Sequence, residues 1–176
     1  MTEQAQQTVE TEPRADRPQM PEGYGVPESA EGLLPWSFAR TILDGALQYW
    51  VGTTRPDGRP HAVPIWGVWL DDAFWFEGGP DTRRGRNLAA NPAIAVHVER
   101  GDDVVIVEGN AQHLAHPAPA LATRLADAFG TKYEPKNYRP DPASWDEGGL
   151  YCVEPHVVLA WSRFPADCTR WHFPVQ

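Results

Sequence analysis

The sequence predicts a mainly β fold: an antiparallel barrel, closed or split, with helices inserted at its ends. Three observations carry that expectation. Runs of β-forming residues follow one another across short turns rich in Asp and Gly, the local chemistry of hairpins. Helical patterns occur singly between groups of strands, so no train of βαβ crossovers builds a doubly wound sheet. The glycine signatures G-x-G-x-x-G and G-x-x-x-x-G-K-S/T, which cradle phosphates in parallel α/β folds, are both missing from the chain.

Residues 1–32 hold seven acids, two arginines, the prolines Pro13, Pro18, Pro21 and Pro27, and little to bury. They are expected to form a disordered arm, with draping over a partner subunit as the functional alternative. The folded domain is expected over 33–176. Pro35 and Ser37 open a helical pattern with Phe38, Ile42 and Leu43 on one face, ending near Gly45. The run LQYWVGTT (47–54) reads as a strand and RPDGRP (55–60) as a turn. There Pro56 presets φ, and Asp57-Gly58 tolerates φ > 0. HAVPIWGVWL (61–70) is then the return strand, in which Pro64 cannot donate a ladder bond and so predicts an edge or a bulge. Asp71-Asp72 turns the chain into AFWFEG (73–78), completing a three-stranded meander.

Gly78-Gly79-Pro80 breaks the sheet, and Thr82 caps a helix over 82–90 that Asn91-Pro92 stops. A helix start carries unpaired N–H groups and a partial positive charge, which favour an anion. Arg83 and Arg84 add forked guanidinium donors suited to phosphate, with Arg86 close behind. The structural alternative is a solvated basic helix face that balances nearby acids. Residues 93–100 and 103–115 form a second hairpin across Gly101-Asp102. A helix follows over 117–130, with Leu121, Leu125 and Phe129 spaced by four. Residues 131–149 form a long Pro- and Gly-rich loop, of the kind that serves as a lid or a dimer contact. One or two strands over 149–163 and a final edge strand over 164–173 complete the chain.

Composition narrows the function classes. The formal charge of −9 disfavours non-specific binding to nucleic acid or an anionic membrane. However, −5 of it lies in residues 1–32, which leaves room for a local cationic site in the rest. No apolar run approaches the ~18 residues of a membrane span, and the amino terminus lacks the basic and apolar blocks of a signal peptide. Cys152 and Cys168 have no C-x-x-C spacing, so free thiols in a reducing cytoplasm are expected, Cys152 on a buried strand. Most of the eight Trp residues are expected in the core. Trp66 is the candidate to line a ring-shaped ligand, and Trp69 and Trp75 belong to the core or a dimer interface. His113 and His116 lack a third ligand, and Ser37, Ser144 and Ser162 lack a nucleophile elbow, so neither a metal centre nor a serine hydrolase is expected.

Four stretches carry a resemblance. They are T-x-R-P-D-G-R-P-H-x-V-P-x-W ending at Trp66, T-R-R-G-R-N-L-x-x-N-P over 82–92, V-I-V-E-G over 105–109, and T-R-W-x-F over 169–173. In this order the chain resembles the pyridoxamine 5′-phosphate oxidase-like split-barrel family. Within it the chain is similar to the actinobacterial flavin/deazaflavin oxidoreductases, many of which use coenzyme F420 rather than FMN. The resemblance spans roughly 33–173 and implies an antiparallel split β-barrel of the FMN-binding type. It also implies a homodimer with two cofactor sites at the subunit interface.

By the same resemblance His61, Val63, Pro64, Ile65 and Trp66 of the second strand lie along the tricyclic ring, and Glu77, Gly78 and Thr82 approach the ribityl chain and phosphate. Arg84 stands where the family usually carries Lys and is expected, with Arg83, to hold the phosphate. Asn87 is expected to fix the loop. His61 is either a proton donor or a polar residue packed beside the hairpin. The basic residues near the carboxyl terminus, Arg163, Arg170 and His172, do not match those that hold the substrate phosphate of true pyridoxamine phosphate oxidases, so that activity is disfavoured. The function implied is hydride transfer between F420 or FMN and a small unsaturated organic substrate, with no catalytic side chain assigned because the cofactor carries the electronics. Only two of the fifteen basic residues are lysine, a skew that favours F420. The alternative is a non-catalytic protein that binds or sequesters a flavin, haem or tetrapyrrole. A split-barrel dimer that has lost cofactor binding is the third reading.

Overall fold

Twelve residues, Leu150–Trp161, form the strand on which the sheet is built. The structure, a computed structural model, describes residues 12–174. In chain order the elements are β1 (Arg14–Asp16), α1 (Trp36–Gly45), β2 (Tyr49–Thr54), β3 (Pro60–Ile65), β4 (Gly67–Leu70), β5 (Ala73–Glu77), α2 (Arg83–Ala90), β6 (Ala93–Arg100), β7 (Asp103–Leu114), α3 (Pro119–Lys132), β8 (Leu150–Trp161) and β9 (Thr169–His172). All nine strands join one sheet whose pairings are antiparallel, in the order β1-β9-β8-β7-β6-β2-β3, with the β4–β5 hairpin attached to β8.

β8 keeps β7 along one flank. On the other flank it forks, its first half pairing with β5 (Trp75↔Cys152) and its second with β9 (Val158↔Trp171). The path from β3 through β2, β6, β7, β8 and β5 ends at β4, which follows β3 in the chain after the single residue Trp66. The two ends of the sheet therefore meet, and the sheet curls into a split antiparallel barrel, as the sequence predicted.

The run 61–70 is consequently two strands rather than one, and the expected meander is two hairpins. The break has a local cause. Gly67 N–H donates to the Tyr133 hydroxyl at 2.8 Å, and that hydroxyl can donate back to the Gly67 carbonyl at 3.0 Å. A Cβ on Gly67 would lie 2.3 Å from the Phe74 ring, so no larger residue fits this crossing. Pro64 does lie on an edge strand. The β2–β3 register is unbroken through it, so the bulge alternative is not realised there; the register shift recorded falls instead between Glu108 and Gly109 of β7.

Two further expectations are corrected. Residues 12–32 are not a disordered arm. Arg14–Asp16 adds a strand to β9, and the Arg17 side chain donates to the carbonyls of Ser29, Glu31 and Cys168. The part of that expectation covering 1–11 lies outside the described residues. Because β1 covers it, β9 is not the edge strand predicted.

Alternation fills the barrel. Tyr49, Val51, Phe74, Phe76, Val96, Val107, Val153 and Val158 point inward and are fully buried, and Ala39, Ile42 and Leu43 of α1 plug one end. A second cluster lies outside, where Leu125, Ala126 and Phe129 of α3 cover Val68, Trp75, Leu150 and Cys152. Trp69 and Trp75 are thus core residues, and both cysteines are buried and unpaired. Among the described residues no helix is long and apolar enough to cross a membrane, and no cluster of His, Cys, Asp and Glu could hold a metal ion.

Candidate anion and cofactor site

At the start of α2 the structure meets the sequence expectation closely. Thr82 is the N-cap: its hydroxyl accepts from Gly85 N–H at 3.0 Å and donates to the Gly79 carbonyl at 2.8 Å. Those bonds occupy the hydroxyl. What the helix start offers a ligand is therefore its dipole and the first free N–H groups, not the Thr82 side chain.

The three arginines that follow diverge. Arg83 is exposed. Arg84 is only 9% exposed and turns under the β5–α2 connection, donating to the Glu77 carbonyl at 3.0 Å with its guanidinium 5.1 Å from the Phe76 ring centroid. A Cβ on Gly78 would come 2.1 Å from that guanidinium, so Gly78 is the hollow into which Arg84 fits. Arg86 folds back to donate to the Asp81 carbonyl at 2.5 Å. Arg84 is thus a structural cation beneath the loop, and Arg83 is the free fork.

Asn87, wholly buried, donates from Nδ2 to the Thr53 hydroxyl at 3.0 Å and so ties α2 to β2. The Thr53 hydroxyl is 3.4 Å from His61 Nδ1 across the β2–β3 pair. Arg55, in the hairpin turn beyond Thr53, has a buried Nε without a partner, as do Arg84 at Nε and Asn87 at Oδ1. Burial, and then the fields of Arg55, Arg83 and Arg84, hold the His61 imidazolium below its usual range. Arg40, Arg59, Arg124, Arg139 and Arg170 each pair with an aspartate, yet Arg55, Arg83, Arg84 and Arg86 have no carboxylate partner among the described residues. Arg55, Arg83 and Arg84 all act on His61, with Asp57 of the same turn acting on Arg55, so this corner of an acidic protein is locally cationic and can attract an anion.

Along β3 the side chains alternate. His61 and Val63 are half-buried and Ile65 is buried, whereas Pro64 is exposed on the other face. The five residues expected along a ring therefore cannot all present side chains to it. What β3 does present is the unpaired backbone edge of a terminal strand. Trp66 is 38% exposed and stacked on Tyr133, with centroids 4.8 Å apart and planes 13° from parallel.

Glu77 has a different role from the one expected. Its carboxylate accepts from the Tyr138 hydroxyl at 2.5 Å and from Trp145 Nε1 at 2.8 Å, so it fastens the 133–149 segment to the end of β5. Between them lies a hollow of about 460 Å³ that also touches Gly78, Gly79 and Pro80. Arg55, Thr53, Tyr138 and Trp145 were not singled out from the sequence. Arg55 was hidden in a turn motif, and the aromatic pair lay in a loop with no periodicity to orient it. A larger hollow of about 920 Å³, lined among others by Trp36, Arg40, Trp75, Cys152 and Phe173, contains none of the predicted residues.

Comparison with known proteins fixes the relationship. Curated proteins give no match. Among solved structures, one described as an F420 reductase is 23% identical, covering 68% of this chain and 94% of its own, at TM-score 0.53. A conserved hypothetical protein from Mycobacterium tuberculosis is 17% identical over 84% and 94%, at TM-score 0.61. A heme binding protein from Mycobacterium smegmatis is 19% identical over 77% and 56%, at TM-score 0.59. At these identities the likeness is one of fold. The family model described as pyridoxamine 5'-phosphate oxidase matches residues 37–162, well over half the chain, and the protein belongs to that family.

Proposed function

We propose that this protein is a cytoplasmic, homodimeric oxidoreductase that binds F420 or FMN, with F420 favoured, and passes hydride between it and a small unsaturated organic substrate. The observation that carries this reading is the gathering of Arg55, Arg83, Arg84 and Arg86, none of them in an ion pair among the described residues, at a capped helix start beside the edge of β3. The residues fit a phosphorylated ring. Arg83, Arg55 and the α2 amino terminus would hold the phosphate, the edge of β3 with Trp66 would lie against the ring, and Arg84 with Asn87 would hold the frame beneath them. A bound flavin or deazaflavin supplies hydride transfer; the chain supplies grip, orientation and exclusion of water.

A row of side chains supports the dimer. Pro64, Trp50, His97, Ile106 and Leu159 lie in register across β3, β2, β6, β7 and β8 on the face away from the core. Trp50 is 42% exposed there, although its neighbours in the strand, Tyr49 and Val51, are fully buried. A second subunit on this face would reach the β3 edge, so each ring would be enclosed by both copies.

The test is titration of the full chain with F420 and with FMN, read by fluorescence, followed by reoxidation of the reduced cofactor with a panel of activated alkenes and quinones. Arg55→Ala and Arg83→Ala should each weaken binding ~10-fold or more, the scale of a charge-assisted hydrogen bond. Saturable binding with reoxidation faster than that of the free cofactor supports the proposal. Tight binding without acceleration would instead identify a sequestering protein. Absence of saturable binding by either cofactor would sink both.

A further inference from the structure

His61 is the one group at the anion site that titrates near neutrality. From the turn after β2 it faces Arg55, and from α2 it faces Arg83 and Arg84; Thr53 and Asn87, its other polar neighbours, are uncharged. Asp57, in the same turn as Arg55, is the carboxylate of this neighbourhood; it is held by Arg59 and acts on Arg55, and no carboxylate is paired with His61 among the described residues. The Thr53 hydroxyl stands 3.4 Å from Nδ1 and can serve either neutral tautomer of the ring. Desolvation and the three guanidiniums act in the same direction, against a proton on the ring while the site is empty.

An anion reverses the second influence. A doubly charged ligand held by Arg55 and Arg83 offsets the cationic field at the imidazole and adds an attraction of its own. We propose that His61 is a further donor of this anion site, taking up a proton from solvent as a dianion binds, so that the site favours fully ionised phosphate monoesters over singly charged anions. This rests on the reading of the site as anion-binding given above. Nothing but the proton changes hands: one leaves the buffer, one arrives at the ring, and no other bond is made. Linkage then runs both ways. If the anion raises the proton affinity of His61, lower pH must raise the affinity for the anion by the same factor. The gain accrues as pH falls from the value at which the occupied site titrates to the lower value at which the empty site does.

Sulfate is the discriminating probe, because it stays a dianion throughout the neutral range and any proton uptake belongs to the protein. Calorimetric titration of the full chain near pH 7, in buffers of different ionisation enthalpy, gives the number of protons taken up per sulfate. FMN above pH 7.5, where its phosphate is already doubly ionised, is the second probe. Uptake of a substantial fraction of one proton is expected, with affinity rising by up to ~10-fold per pH unit lowered inside the window. His61→Gln keeps a polar side chain beside Thr53; it should bind more weakly, with no proton uptake and a flat pH profile. Binding without proton uptake, or uptake that survives in His61→Gln, would overturn the inference and leave the anion site standing. Failure of both sulfate and FMN to bind would overturn the two together.

Discussion

Lys132 closes α3 and reaches back across the barrel end, donating to the Leu43 carbonyl at 3.2 Å and to the Tyr49 hydroxyl, with its ammonium 4.8 Å from that ring's centroid. Burial pushes its pKa down to about 8, against a weaker pull from Asp44. The folded state thus binds fewer protons than the unfolded chain between about pH 8 and the ordinary lysine value of 10.5. The contribution of this group to stability therefore rises with pH through that window. Tyr49 and Tyr133 oppose it at the alkaline end, because burial raises both phenols. The measurement is accordingly a difference: between pH 7.5 and 9.5 the melting temperature of the wild type should climb relative to that of Lys132→Met. A constant gap would refute the assignment. Neither this role nor that of Arg84 was legible in the sequence. R-R-x-R at a helix start marks a cationic place, but which guanidinium faces solvent and which turns under Gly78 depends on the loop that leads into the helix, a tertiary fact.

The segment between α3 and β8 is held by an acceptor in another element. Two short 3-10 turns shape it, Trp145 is 2% exposed, and its indole and the Tyr138 hydroxyl both donate to Glu77. Replacing Glu77 with Ala leaves a half-buried hydroxyl and a buried indole N–H without their acceptor, at a cost of ~1–3 kcal/mol for each buried group so stranded. Hydrogen exchange and proteolytic cleavage should then increase within 133–149 while the sheet keeps its protection. Unchanged protection of that segment would show that apolar packing alone holds it. Length and composition marked these residues as more than a connection, yet the sequence contains no signal that pairs them with residue 77. The same limit explains the 61–70 run. Its β-forming residues read as one strand because local preference cannot register that a hydroxyl sixty-six residues away captures both backbone groups of Gly67.

For the whole molecule, hairpins and helix positions were readable because Asp71-Asp72, with φ of 52° and 54°, and Gly101, with φ of 66°, carry their turn chemistry locally. The strand made by Arg14–Asp16 was not readable. Its three residues have no apolar pattern, and Asp16 is held by Arg170 at 2.8 Å and His172 at 3.0 Å on a strand at the far end of the chain. The face proposed for the second subunit allows a test of the assembly. Ile106→Glu places a charge in the middle of the row from Trp50 to Leu159 without touching the barrel interior. Sedimentation should show the wild type at twice the chain mass and the variant at the monomer mass, with unchanged secondary structure. A wild-type chain that sediments as a monomer would refute the dimer.

The fork in β8 has a consequence for synthesis. Residues 150–161 hydrogen-bond to three other strands, two of which, β5 and β7, leave the ribosome long before them. Until that stretch emerges, the outer edges of both earlier hairpins lack partners and are open to pairing with neighbouring nascent chains. Closure is therefore a late, non-local event, of the kind that slows folding and lengthens the interval in which chaperones are needed.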